Sequence, residues 1–240
     1  MIKYDSSKLG LWHHDIDLGN GSRTKYLSAP YNGKEHTNKE SVAADIVKLY
    51  GDDLKSKSVL DVACNAGGHL FALSRYGIAN GFGFDVRKVW IEQAKWVQRK
   101  INFDTSNLKF IQGDFDVLNK QGSFDISLFN GIFYHLAAPV DALKRVADKT
   151  NELITINTSY AITPEGTEPC LVCRPESKRV EDGLSGVEGL SWRPNGEQVL
   201  FSILKSLGFV ETKLYFKNTQ AERLCVFASK VPGLLSSNRS

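Results

Sequence analysis

Ser58-Val59-Leu60-Asp61-Val62-Ala63-Cys64-Asn65-Ala66-Gly67-Gly68-His69 is the stretch that decides the fold class. A β-rich run from Ser58 to Cys64 breaks at a turn of small residues and opens a helix-period segment over about 68–76, with Gly77 as its natural terminator. Outward from there the alternation repeats. Gly81-Phe82-Gly83-Phe84-Asp85 reads as a second strand, followed by a helix with Trp90, Ile91, Ala94 and Val97 on one face. Leu108 to Gln112 and Phe124 to Phe129 read as strands three and four, Pro139 starts a helix through Ala147, and Leu153 to Asn157 is strand five. A helix carrying Val199, Leu200, Ile203, Leu204 and Leu207 precedes two last strands, around Val210 to Phe216 and Leu224 to Ser229. With no helix between them, these two are expected to be antiparallel neighbours. The pattern predicts an α/β fold: a doubly wound, mostly parallel seven-stranded sheet of Rossmann-like type with an antiparallel last strand.

The 240 residues carry 42% hydrophobic, 24% charged and 10% aromatic side chains. That is globular composition and excludes disorder and collagen-like repeats. No run of about 18 apolar residues occurs, and Met1 to Lys8 has no apolar stretch of signal-peptide length, so a cytoplasmic location and no membrane partner are expected. Thirty Lys and Arg against 27 Asp and Glu leave a charge of +3, which does not demand a nucleic-acid partner. Cys170 and Cys173 form a single C-x-x-C with no second half-site, so no metal is expected, and between Pro169 and Pro175 the motif reads as loop. Residues 161–194 show no pattern of their own, and about thirty such residues in a compact domain imply a lid or binding loop. The expected organisation is an arm over 1–40 capping the site, then a main domain over 41–240 with 161–194 as a lid insertion.

In a sheet of this kind ligands lie beyond the carboxyl ends of the strands. After strand one, Asp61 and the small-residue turn through Ala63, Asn65 and Gly67 let the backbone approach a ligand at a helix N-terminus. After strand two comes Asp85, placed to accept both hydroxyls of a ribose. After strand three Asp114 and Phe115 stand side by side, suited to the amino group and the face of an adenine. After strand four comes Asn130-Gly131-Ile132-Phe133-Tyr134-His135. Each has a plain structural reading as well: Asp85 a helix cap, Phe115 a core aromatic, Gly67 a simple turn. Their occurrence at four successive strand ends points to a nucleoside-bearing ligand. The dinucleotide fingerprint is not met, because Ala63, Asn65 and Gly68 do not supply G-x-G-x-x-G, and no G-K-[ST] of a P-loop occurs.

From about Ser58 to Lys230 the chain resembles the class I S-adenosylmethionine-dependent methyltransferases. The match is strongest at Val59 to Gly68, Phe84-Asp85 and Phe124 to His135. The Cys64 to Gly67 turn, the Asn130 to His135 segment and Trp12-His13-His14-Asp15-Ile16-Asp17-Leu18-Gly19 look like the branch containing the tRNA wobble-uridine carboxymethyltransferase and its small-molecule relatives. Ala63 departs from the pattern, standing where the broad family usually has its first glycine. The resemblance implies S-adenosylmethionine as cofactor, with Asp61 and the Ala63–Gly67 turn at its methionine end, Asp85 on the ribose, Asp114 and Phe115 on the adenine, Asn130 along its floor and Tyr134 facing the transferred group. In the tRNA enzyme the counterparts of Tyr134 and of a late arginine, here Arg223, help to recognise a carboxylated cofactor. A solvated arginine at a strand start is the equal alternative for Arg223.

Methyl transfer is an in-line displacement, and a hydroxyl or ammonium acceptor must also lose a proton, most economically to histidine. His14 and His135 are the catalytic candidates beside Tyr134, with Trp12, His13, Trp192 and Arg223 on the acceptor side; an anionic or neutral-amine acceptor needs no base. His135 has a supporting role as its alternative. Three functions are carried forward: an enzyme methylating the oxygen or nitrogen of a small molecule or sugar, a tRNA wobble-uridine methyl or carboxymethyl transferase, and a cofactor-binding partner subunit without turnover. The weak charge sets the tRNA reading second.

Overall fold

The computed structural model describes residues 9–27, 39–175 and 189–236. Two compact units divide the chain, one ending at Val117 and the other beginning at Leu118. The first carries α1 (Glu40–Tyr50), β1 (Ser58–Val62), α2 (Gly68–Ser74), β2 (Asn80–Asp85), α3 (Lys88–Lys100) and β3 (Leu108–Gln112). The second carries β4 (Phe124–Leu128), α4 (Pro139–Ala147), β5 (Thr150–Ser159), β6 (Leu171–Pro175), β7 (Leu190–Pro194), α5 (Glu197–Ser206), β8 (Glu211–Asn218) and β9 (Arg223–Ser229). The hydrogen-bonded order is β3-β2-β1-β4-β5-β9-β8, and β6 and β7 form a separate ribbon. β1 with β2, β2 with β3 and β4 with β5 pair in parallel, whereas β9 runs antiparallel to both β5 and β8. This is the expected seven-stranded, mostly parallel sheet with its antiparallel last strand.

Local chemistry accounts for the elements. β1 is buried from Val59 to Val62, as a central parallel strand covered on both faces must be. On α3, Trp90, Ile91, Ala94 and Val97 all turn inward, joined by Gln93 and Trp96. α2 ends at Ser74, and Gly77 follows at φ 81, the left-handed conformation that closes a helix.

Two expectations change. Residues 161–194 are not patternless throughout, because β6 and β7 pair antiparallel with Cys173 opposite Trp192. Cys170 therefore abuts β6 and Cys173 lies within it, so the C-x-x-C sits on extended backbone instead of in a loop. Positions three apart in a strand are about 10 Å apart, too far for a disulfide, and both cysteines are free. The middle of the expected lid, 176–188, lies outside the described residues, as do 1–8 and 28–38 of the arm. The second change is in the arm itself. Trp12 is fully buried and meets Trp96 edge-on at 5.4 Å, and Ile16 and Leu18 are core residues. Gln93 Nε2 donates to the carbonyls of Leu9 and Leu11 at 2.8 and 2.9 Å, and Arg23 Nε donates to both carboxylate oxygens of Asp15. Residues 9–27 are thus a packed layer of the first unit, and Trp12, expected on the acceptor side, is a core side chain because its ring fills a hydrophobic seat.

Candidate functional site

The turn after β1 is wound left-handed at Ala63 (φ 52), Asn65 (φ 51) and Gly67 (φ 78). Such backbone costs a non-glycine residue about 1–3 kcal/mol and persists only where surroundings fix it. They do so here. Cys64 N donates to the Phe84 carbonyl at 2.9 Å, Gly67 N to the Cys64 carbonyl at 2.8 Å, and Ala66 N to Asn65 Oδ1 at 2.7 Å. Asn65 N donates to Asp85 Oδ2 at 3.0 Å, while Arg87 N donates to Asp85 Oδ1 at 2.9 Å. The Asp85 carboxylate is therefore oriented by one amide from each of the two neighbouring strand-end loops. Burial pushes its pKa up, the Arg87 and Asn65 amides oppose that, and the nearby Asp61 carboxylate adds to it. At Gly67 a Cβ would lie 2.6 Å from Phe110 Cε1, so both φ and space require glycine there.

Asp61 supplies a test of fit for the cofactor. Its Oδ2 is buried without a hydrogen-bond partner and lies 3.6 Å from His69 Nδ1. An orphaned buried carboxylate oxygen is costly and calls for a donor, which the ammonium of a methionine end provides. Asp114 is exposed, with Oδ1 accepting from Phe115 N at 2.7 Å. Phe115 is buried and edge-on to Phe84 at 5.7 Å, so it is largely a core aromatic with only its margin available to a base. The residues fit the group at Asp61, Asn65, Gly67, Asp85 and Asp114.

His14 is buried, and its Nδ1 accepts from Gly68 N at 3.2 Å. Burial holds its pKa well below the usual histidine value, helped by Lys39, His13 and His69. The His13 ring lies 5.5 Å from it, and the His69 ring 6.3 Å.

In the second unit Asn130 follows β4 and is aimed by β5. Its Oδ1 accepts from Asn157 N at 2.9 Å and Thr155 Oγ1 at 3.2 Å, and its Nδ2 is buried without a partner. Arg223 donates to the Tyr134 hydroxyl at 2.8 Å and sits 4.7 Å from the centre of its ring. His135 packs against the same ring at 4.0 Å. Arg223 has no carboxylate partner among the described residues, since the adjacent Glu222 is taken by Arg193 at 2.8 Å. Trp192, on the ribbon strand that packs beside the 133–135 turn, leaves its Nε1 buried and unpartnered. Asn157 and Thr155, which orient Asn130, carried no signal in the sequence, because they reach it only through the parallel pairing of β4 and β5. Among the described residues no group of three or more His, Cys, Asp or Glu is placed to hold a metal ion, and no helix is long and apolar enough to cross a membrane.

Residues 53–177 match the family model of the methyltransferase domain. The chain is 32% identical over 101 residues to the tRNA U34 carboxymethyltransferase of Campylobacter fetus subsp. fetus (strain 82-40), covering 42% of this chain and 35% of that one. It is 28% identical over 110 residues to the enzyme of the same name from Helicobacter pylori (strain G27), covering 43% and 40%. The chain thus spans well under half the length of these relatives. Among solved structures, the N-terminal domain of EvdMO1 in the presence of SAH and D-fucose superposes with a TM-score of 0.74 at 20% identity, covering 93% of both chains. Magnesium protoporphyrin IX methyltransferase (ChlM) from Synechocystis PCC 6803 with bound SAM gives 0.55 at 14% identity, covering 80% and 79%. These two likenesses concern the fold. With more than half of its residues matched to the family model, and with the acidic strand ends and left-handed turn in place, the chain belongs to the methyltransferase-domain family.

Proposed function

We propose that this S-adenosylmethionine-dependent methyltransferase delivers its methyl group to an oxygen or nitrogen of a small-molecule or sugar acceptor. The observation that carries the cofactor side is the Asp85 carboxylate, fixed by the amides of Asn65 and Arg87 with lone pairs left to accept ribose hydroxyls. When bound, S-adenosylmethionine supplies an electrophilic methyl group on a sulfonium. The chain's own residues do the rest: Asp61 accepts from the methionine ammonium, the Ala63–Gly67 turn brings backbone against that end, Asp114 with the edge of Phe115 meets the adenine, and Asn130 offers its Nδ2 donors. His135, packed on the Tyr134 ring, would take a proton from a hydroxyl or ammonium acceptor. Trp192, His13 and the segment 161–194 belong to the acceptor side in this reading. The N-terminal domain of EvdMO1, described in the presence of SAH and D-fucose, is a reason to include sugars among the acceptors tried. Incubating the protein with labelled S-adenosylmethionine and parallel pools of free sugars, nucleotide sugars and tRNA tests it: label is expected in a sugar or other small molecule, and label found in tRNA alone overturns the assignment.

One observation favours a second reading. Arg223 is a half-buried cation that rests on Tyr134 and has no carboxylate among the described residues, and a carboxylated donor would bring a negative charge. The similarity to tRNA U34 carboxymethyltransferases points the same way. Competition binding separates the two: equal or stronger binding of plain S-adenosylmethionine supports methyl transfer, whereas at least tenfold tighter binding of the carboxylated form, lost in Arg223→Ala, supports carboxymethyl transfer.

A further inference from the structure

We propose that His14 is a positioning residue for the cofactor turn: its Nδ1 accepts the Gly68 N–H and so ties the amino-terminal segment to the loop that carries Asn65 and Gly67. The inference rests on the cofactor reading of that loop and adds to it a residue outside the strand ends. Gly68 is the first residue of α2 and follows directly on Gly67, so the bond is made where the left-handed turn becomes helix. No side chain of the turn itself caps this helix, and His14 supplies the acceptor from a point distant in sequence. The fit is reciprocal. A Cβ on residue 68 would lie 2.7 Å from His14 Nδ1, so the approach exists only with glycine at that position.

The imidazole is held from behind. The His14 carbonyl accepts from Thr24 Oγ1, Thr24 Oγ1 in turn accepts from Ile16 N at 2.8 Å, and Thr24 N donates to the Ile16 carbonyl at 2.9 Å. Trp12, two residues earlier, is buried against Trp96. The ring therefore enters the turn from a rigid layer, and losing its acceptor would leave the Gly68 amide buried and unsatisfied.

Accepting at Nδ1 requires that nitrogen to be unprotonated, with the proton of the neutral ring on Nε2. The surroundings favour that state. Facing His14 are Lys39 ahead of α1, His13 on its own segment and His69 on α2, and burial disfavours the charged ring most of all. Of the nearby acids, Asp15 and Glu40 pair with Arg23, and Asp61 Oδ2 lies 3.6 Å from His69 Nδ1. A buried ring with Nδ1 engaged suits a fixed acceptor better than a general base, so the role expected from the sequence moves from proton transfer to positioning.

The test uses the whole chain and S-adenosylhomocysteine as probe. In His14→Leu, affinity is expected to fall about tenfold or more. In His14→Asn, whose amide oxygen reaches the Nδ1 position, affinity should return to within about threefold of the unaltered protein. Nitrogen-edited NMR of the unaltered protein at neutral pH should show Nδ1 unprotonated. A folded His14→Leu that binds as well as the unaltered protein, an Asn variant no better than Leu, or a protonated Nδ1 each overturns the proposal. If His14→Leu does not fold, the Asn variant and the Nδ1 signal decide. An unaltered protein that does not bind the probe removes the cofactor reading itself, and the proposal with it.

Discussion

The strand ends of the two units spend their polar groups differently. After β1 and β2 the groups of the turn are committed to their neighbours, with Asp61 Oδ2 the acceptor left over: Asp85 accepts two amides, Asn65 both donates and accepts, and His14 takes the Gly68 amide. After β4, and at the start of β9, donors are left over. Among the described residues, Asn130 Nδ2 and Trp192 Nε1 are buried without partners, and Arg223 has a hydroxyl and a ring but no carboxylate. In the proposed reading, the first arrangement would be preorganised for one invariant ligand, whose ribose and amino-acid groups never change. The second would keep its donors for something brought in from outside, which is how an acceptor or an altered donor would be told apart.

The sharpest way to break this comparison is to remove a residue assigned to packing and look for an effect on recognition. Trp12→Ala should destabilise the protein by about 3–5 kcal/mol, the cost of emptying a buried tryptophan seat. The denaturant midpoint reads it; an unchanged midpoint with a raised acceptor KM would return Trp12 to the acceptor side. Gly67→Ala forces a Cβ to within 2.6 Å of Phe110 in left-handed backbone, and should weaken S-adenosylhomocysteine binding by roughly tenfold or more, for a cost of about 1–3 kcal/mol. Equal affinity, measured by calorimetry, would mean that the turn does not meet the ligand.

Smaller effects sharpen the contrast. Arg223→Ala should change stability by no more than about 1 kcal/mol, because a partly exposed cation on a tyrosine ring contributes little, while changing the preference between plain and carboxylated donors. A large loss of stability with no change of preference would make the pair structural. His14 gives the smallest signal. Its pKa in the folded chain lies below its ordinary 6.5, burial being the main cause, followed by Lys39, His13 and His69. The unfolded chain therefore takes up the proton first as pH falls, and the neutral ring's stability contribution is complete above about pH 6.5 and declines below it. Between about pH 7.5 and 5.5 the melting temperature of His14→Asn should fall less than that of the unaltered protein, and equal falls would contradict the assignment.

What the sequence made legible was whatever is local. The β1 turn, Asp85 at the end of β2 and the inward face of α3 all follow from short-range spacing, and each stands where that spacing put it. Tyr134 and Arg223 were linked only through the family resemblance, yet they meet at 2.8 Å. The β6–β7 ribbon was missed because Leu171-Val172-Cys173 has no clear alternation and its partner strand lies beyond an intervening segment. Trp12 was ambiguous for a similar reason. An aromatic near a strand end reads alike as a ligand contact or a core plug, and only the position of Trp96 opposite Trp12 decides. His14 was singled out by its position in the arm, while its partner is a backbone amide that no side-chain pattern announces.

In the proposed function the strand-end turn and Asp85 of the first unit hold S-adenosylmethionine. Calorimetric titration of S-adenosylhomocysteine into the unaltered protein and Asp85→Ala tests it most directly. Charge-assisted hydrogen bonds to the two ribose hydroxyls are worth about 1.5–3 kcal/mol, so the variant should bind roughly ten- to a hundredfold more weakly while keeping its fold by circular dichroism. Unchanged affinity in a folded Asp85→Ala, or no binding to the unaltered protein, would contradict the account.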